Sequence, residues 1–158
     1  MDRKNSQWDK GAAGNAGVYI TAWHLSRAGF AVAVTSRNMK GPDIVAVAED
    51  GEAYSIQVKA GSLQSQDIPF GLGPITVREP WWVIVTHAMS DTPTLYVLTR
   101  DEMQRYLVLD SGVRSGKSDE MRTWWFPATR LCRPGHLDEL VHCRDAWQKL
   151  NSRDLQSA

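Results

Sequence analysis

The hydrophobic period of the chain changes once, near residue 29, and that change narrows the folds open to it. From about Lys10 to Ala28, Val18, Ala22 and Leu25 recur at i, i+4 and i+7, while Ile20 and Trp23 widen the apolar surface; this is the pattern of an amphipathic helix. Gly29 follows the last periodic residue and reads as its stop. Three short runs follow, Phe30–Thr35, Asp43–Ala48 and Ala53–Lys59, rich in β-branched and aromatic residues and read as strands, the first of them buried. Asp50-Gly51 lies between the last two, and Asp-Gly between strand-like runs signals a hairpin.

Downstream, Ala60 to Pro80 reads as a loop with a short strand at Ile75-Thr76-Val77. Trp81–Thr86 and Thr94–Leu98 read as strands that pair through a turn at Ser90 to Pro93. Thr99 or Asp101 is expected to cap a helix reaching about Leu109. The polar, glycine-containing segment Asp110 to Glu120 is expected to be a mobile loop, and a last helix is expected over His136 to Leu150. The order predicts an α/β fold, a central mixed sheet flanked by helices. At 158 residues the simplest organisation is one domain over 10–150, with a flexible segment at 1–9 and a frayed tail at 151–158.

Chemistry concentrates at the hairpin. Pro42-Asp43 opens its first strand and Gln57-Val58-Lys59 closes its second, so both strand ends return to one edge of the sheet. Gln57 and Lys59 are two apart and share a face. A carboxylate and carbonyl oxygens are hard ligands suited to Mg²⁺ (or Mn²⁺), and an ammonium beside them stabilises charge developing on a phosphate. Register decides whether Asp43 joins them. A plain two-residue turn at Asp50-Gly51 would place Asp43 opposite Val58 and turn it to the other face. The site therefore requires a three-residue turn or a bulge, for which Gly51 is suited.

Gly11 to Lys59 resembles the PD-(D/E)XK nuclease superfamily, in particular the branch with glutamine in place of the middle acid. The residues that carry the likeness are the glycine-rich stretch Gly11-Ala12-Ala13-Gly14-Asn15-Ala16-Gly17, then Leu25, Gly29-Phe30, Pro42-Asp43 and Ile56-Gln57-Val58-Lys59. The resemblance implies a restriction-endonuclease-like core and Mg²⁺-dependent cleavage of nucleic acid, DNA above all. It makes Asp43, Gln57 and Lys59 catalytic, with Asp43, Gln57 and the Val58 carbonyl as metal ligands. Many relatives carry a glutamate on the first helix about where Val18 stands, and no Asp or Glu occurs between Gly11 and Pro42. Val18 is expected to face the cluster, and a second carboxylate would have to come from elsewhere, for example Asp67 or Glu79. Without one, the alternative is a catalytically degenerate module that binds nucleic acid or a protein partner.

Lys+Arg and Asp+Glu both number 18, so net charge does not by itself point to nucleic acid, although Arg114, Lys117, Arg122, Arg130 and Arg133 lean basic. No apolar run reaches the ~20 residues of a membrane helix, the first seven residues lack the apolar centre of a signal peptide, and the two cysteines make no disulfide framework. A cytoplasmic protein is expected, and a homodimer would suit cutting two strands with one site per chain. Three further signals are set aside. Ser111–Ser118 departs from a phosphate-binding loop at its first residue. Cys132, His136, His142 and Cys143 lack a paired zinc-ligand spacing, and adjacent helical residues would diverge by about 100°. In Trp81-Trp82 and Trp124-Trp125, one ring of each pair is expected in the core and the other at a rim.

Overall fold

A computed structural model describes residues 7–36, 41–62, 68–72, 77–106, 108–109, 123–126 and 140–150. The first helix, α1, runs Gln7–Arg27. It ends as its sequence suggests: Gly29 adopts φ +94°, the Phe30 N–H donates to the Leu25 carbonyl at 3.1 Å and the Gly29 N–H to the Ser26 carbonyl at 3.1 Å. This is a Schellman cap, and its hydrophobic pair, Leu25 and Phe30, is buried in one core cluster.

The strands are β1 (Ala31–Val34), β2 (Ile44–Val47), β3 (Ala53–Ala60), β4 (Ile68–Leu72), β5 (Trp81–Thr86), β6 (Thr94–Thr99), β7 (Val108–Leu109) and β8 (Thr123–Phe126), with helix α2 at Arg100–Tyr106. The main sheet has the order β1-β2-β3-β5-β6. β1, β2 and β3 form an antiparallel meander, β3 and β5 run parallel, and β5 and β6 are antiparallel. The expected α/β class, a mixed sheet flanked by helices, is the observed one. A second sheet, β4-β8-β7, has no counterpart in the sequence reading, which made a loop of β4 and ran a helix through β7.

Both faces of the main sheet are covered, which explains the unbroken apolar run of β5. Val83 and Val85 join Ile44, Ile56 and Val58 on the side of α1, while Trp82 and Ile84 join Leu98, Met103 and Tyr106 on the other. Helix α1 lies close to the sheet because Gly17 has no side chain: a Cβ there would stand 2.5 Å from the Ala60 Cβ and 3.7 Å from Val58 Cγ1. Within the glycine-rich stretch, which lies inside the helix, Ala13 and Gly17 are the buried residues.

Three expectations need correction. β1 is an edge strand with Ala31, Ala33 and Val34 exposed, because among the described residues its outer side has no neighbour in the sheet. The second helix is short, closed at its start by a capping box in which the Glu102 N–H donates to Thr99 Oγ1 at 3.3 Å and Glu102 Oε2 accepts from the Thr99 N–H at 2.8 Å. It stops at Tyr106, short of Leu109. The last helix is absent over 140–150, where two 3-10 turns, Val141–Cys143 and Trp147–Leu150, are separated by Asp145 at φ +49°. A left-handed residue there breaks any continuous α-helix, and the Asp145 N–H instead donates to the Leu95 carbonyl at 3.0 Å. Ile75, Thr76, residues 110–122 and 127–139 lie outside the described residues.

Candidate functional site

The β2–β3 hairpin has the shifted register that the chemistry requires. Val47 pairs with Ala53 and Ile44 with Ile56, one residue away from the register of a two-residue turn. The loop is Glu49-Asp50-Gly51: the Ala48 N–H donates to the Glu52 carbonyl at 2.8 Å, the Gly51 N–H to the Ala48 carbonyl at 2.9 Å, and Gly51 sits at φ +87°. A three-residue loop closed by a left-handed glycine is a glycine-bulge turn.

The β2–β3 ladder stops at Ile44 and Ile56, but β3 continues to Ala60, held on its other side by β5. Beyond the last pair, the Asp43 N–H donates to the Ile56 carbonyl at 3.0 Å. Its carboxylate then takes the place of the missing strand: Oδ2 accepts from the Val58 N–H at 2.8 Å and from Gln57 Nε2. Thr35 fixes the backbone at this point, its N–H on the Asp43 carbonyl at 2.9 Å and its Oγ1 on the Pro42 carbonyl at 2.6 Å.

Gln57 and Lys59 occupy the half-buried positions that alternate with buried Ile56 and Val58. Asp43, Gln57, Val58 and Lys59 line one open cleft of about 360 Å³. Its opposite wall is α1, which contributes Gly14, Asn15, Val18 and Tyr19. Val18 thus lines the cleft, as expected from its place in the helix. Asn15 and Tyr19 are the residues the sequence reading did not single out. Asn15 lies three residues before Val18 and Tyr19 four after Asn15, spacings that would have found them. Asp43 is the one carboxylate among the described residues lining the cleft; Glu79 does not line it, and Asp67 lies outside the described residues. So do Arg114, Lys117, Arg122, Arg130, Arg133, Cys132, His136 and the Ser111–Ser118 segment.

The donor set suits a hard divalent cation. The carboxylate of Asp43 and the amide of Gln57 converge, and turning that amide over would present Oε1 where Nε2 now stands. In a strand the N–H and C=O of one residue point to the same side, so the Val58 carbonyl is directed to the side from which its N–H meets Asp43. Three oxygens of this kind would leave half of an octahedral shell for water and phosphate, as Mg²⁺ usually arranges.

A second polar cluster lies elsewhere. Glu102 on α2 accepts from Lys149 Nζ at 2.8 Å (Oε1) and 3.0 Å (Oε2), and its Oε1 also meets His142 Nε2 at 3.2 Å and Cys143 Sγ at 3.5 Å. His142 and Cys143, adjacent in the 3-10 turn, thus both reach the same oxygen. Burial alone would raise the Glu102 pKa, but Lys149 and the Thr99 N–H outweigh it and hold the carboxyl down to about 2. Burial pushes the Cys143 thiol up, so it stays protonated. Glu102, His142 and Cys143 have ligand atoms within 4.8 Å of one another, yet a metal there would have to displace an ammonium already bonded to Glu102, Cys143 Sγ and the Val97 carbonyl. The cluster reads as a structural tie.

Of the Trp81-Trp82 pair, Trp82 is buried with its Nε1 on the Glu79 carbonyl at 2.9 Å, and Trp81 is half-buried against Tyr54. No helix among the described residues is long and apolar enough to cross a membrane. Neither a protein-family profile nor a curated protein matches the chain. Among solved structures, a bacterial homing endonuclease is similar at a TM-score of 0.49 and 14% identity, over 87% of this chain and 88% of that one.

Proposed function

We propose that this protein is a Mg²⁺-dependent nuclease with a restriction-endonuclease-like core, hydrolysing phosphodiester bonds of nucleic acid, DNA above all, at the cleft of Asp43, Gln57 and Lys59. The observation that carries the reading is the one-residue register shift of the β2–β3 hairpin, which brings Asp43 to Gln57 and Val58 at an open strand end. The same register pairs buried Ile44 with Ile56 and buried Ala46 with Tyr54, so the core and the cleft share it.

Asp43, Gln57 and the Val58 carbonyl would hold the cation. When bound, Mg²⁺ would supply Lewis-acid activation of water and charge neutralisation at phosphate. Lys59, in the same cleft, offers an ammonium for the charge that grows on the phosphoryl oxygens, an interaction stronger in the transition state than in the bound substrate. Asn15 offers a neutral amide from the helix, where it would hydrogen-bond a phosphate or a metal-bound water without adding charge.

The test is cleavage of single-stranded, duplex and branched DNA and RNA with Mg²⁺ or Mn²⁺. Lys59→Ala should lower turnover by 10²-fold or more, of the order seen when one transition-state donor is lost, while nucleic-acid binding persists. Asp43→Ala should abolish cleavage through loss of the metal. Cleavage that survives Lys59→Ala in a nuclease-free preparation removes Lys59 from the chemistry. One observation favours a second reading, a degenerate nuclease-fold module: Asp43 is the one carboxylate lining the cleft among the described residues, and a single charge holds Mg²⁺ weakly. Wild-type protein that binds nucleic acid but cuts none of the substrates would establish that reading instead.

A further inference from the structure

Helix α1 has two opposed stripes at i+4 spacing. Ala13, Gly17, Thr21 and Leu25 are buried against the sheet, whereas Asn15, Tyr19, Trp23 and Arg27 are exposed. Tyr19 and Trp23 keep 66% and 53% of their surface exposed, and the core does not need them. Two large aromatic rings left in water a turn apart on a helix otherwise patterned correctly are a departure from what solubility favours.

We propose that Asn15, Tyr19, Trp23 and Arg27 form a stacking track for a single-stranded stretch of nucleic acid running into the cleft, an inference that rests on the nucleic-acid reading of that cleft. The stripe is continuous with the site, because Asn15 and Tyr19 also line the cleft that holds Asp43, Gln57 and Lys59. Its members succeed one another by about 6 Å along the helix axis, so neighbouring rings can each receive one unstacked base. At the far end the Arg27 guanidinium lies 4.7 Å from the centre of the Trp23 ring, placing a cation beside an aromatic face, the pairing that suits a base with its phosphate. Lys59 supplies a second cation at the cleft end. Single strands are favoured over duplex because a convex row of rings needs base faces, and a duplex offers only edges and phosphates.

The experiment measures binding of a labelled oligothymidylate and of a duplex of the same length to the full chain, by fluorescence anisotropy in EDTA at low salt. Tyr19→Ala and Trp23→Ala should each weaken oligothymidylate binding on the order of tenfold with little change on duplex, and Trp23→Phe should restore most of the loss. Both side chains are exposed, so the variants should keep the wild-type circular dichroism and urea midpoint. Equal losses on both ligands, no loss, or no oligothymidylate binding by wild type would overturn the track. Sedimentation of the same variants covers the other occupant: if Trp23→Ala converts a dimer to monomer without changing oligothymidylate binding, the stripe is a subunit contact and the track is wrong. The nuclease reading fails separately. Oligothymidylate binding lost on Trp23→Ala, with no Mg²⁺-dependent cleavage by wild type, would keep the track and sink the nuclease.

Discussion

Asp43 and Glu102 each gather donors from distant parts of the chain, but they do so in different surroundings. Glu102 is held by an ammonium at 2.8 Å, a backbone N–H at 2.8 Å, an imidazole and a thiol, and the elements around it close over the group. Asp43 takes a backbone N–H and a side-chain amide at the end of a ladder, beside an open cleft of about 360 Å³. Glu102 ties α2 to the 3-10 turn that carries Lys149, and its low pKa follows from that tie. Asp43 stands where two strands separate and a helix provides the facing wall, a place that adds little to packing and much to access. Glu102 is bound among four partners, whereas Asp43 lines an open cleft.

Stability measurements can break that comparison. Glu102→Gln leaves the Lys149 ammonium without its charge partner in a largely buried position and should cost about 2–4 kcal/mol in urea unfolding, somewhat below the loss for a fully buried pair. Asp43→Asn should cost under about 1.5 kcal/mol, the scale of one hydrogen bond. Equal costs would mean that Asp43 is as structural as Glu102. Gly17→Ala should cost about 1–3 kcal/mol, since the added Cβ meets the Ala60 Cβ at 2.5 Å and both backbones must part. Because that contact forms one wall of the cleft, cleavage should fall as well, which a purely local packing defect would not produce.

Gly51→Ala should cost about 1–2 kcal/mol, because φ +87° places a Cβ against the backbone. It also loads the bulge on which the register of Asp43 depends, so Mg²⁺ affinity should drop with it. The last effect concerns pH. The Glu102 carboxyl has its folded pKa lowered from 4.5 to about 2, so the unfolded chain binds the extra proton between those values. Its contribution is present above about pH 4.5 and is lost as pH falls through 2; partial solvent screening should keep it near 1–2 kcal/mol. Acid titration of the unfolding free energy should show this loss in wild type and not in Glu102→Gln.

The helix stop at Gly29, the three meander strands and the β5–β6 pair were legible because each is decided by residues within a few positions of one another. The register shift was legible by a different route: Asp50-Gly51 allowed two turns, and only one of them brought Asp43 to Gln57 and Lys59. What was not legible depends on distant partners. Phe30–Thr35 looked buried because apolar content does not reveal which strand becomes the edge. The segment from His136 had helical spacing, yet Asp145 and a bridge from Arg144 to Tyr96 set its course, both tertiary in origin. β4, β7 and β8 pair across long separations and are too short to show a period. In the site, Asn15 and Tyr19 escaped notice because the cleft exists only once α1 is docked through Gly17.

Anomalous diffraction from crystals soaked in Mn²⁺ separates the two carboxylates most directly. One peak is expected in the cleft, within ligand distance of an Asp43 carboxylate oxygen, the Gln57 amide oxygen and the Val58 carbonyl, with the Gln57 amide turned over. A peak at Glu102, His142 and Cys143 with none at Asp43 would contradict both assignments, and so the nuclease site itself.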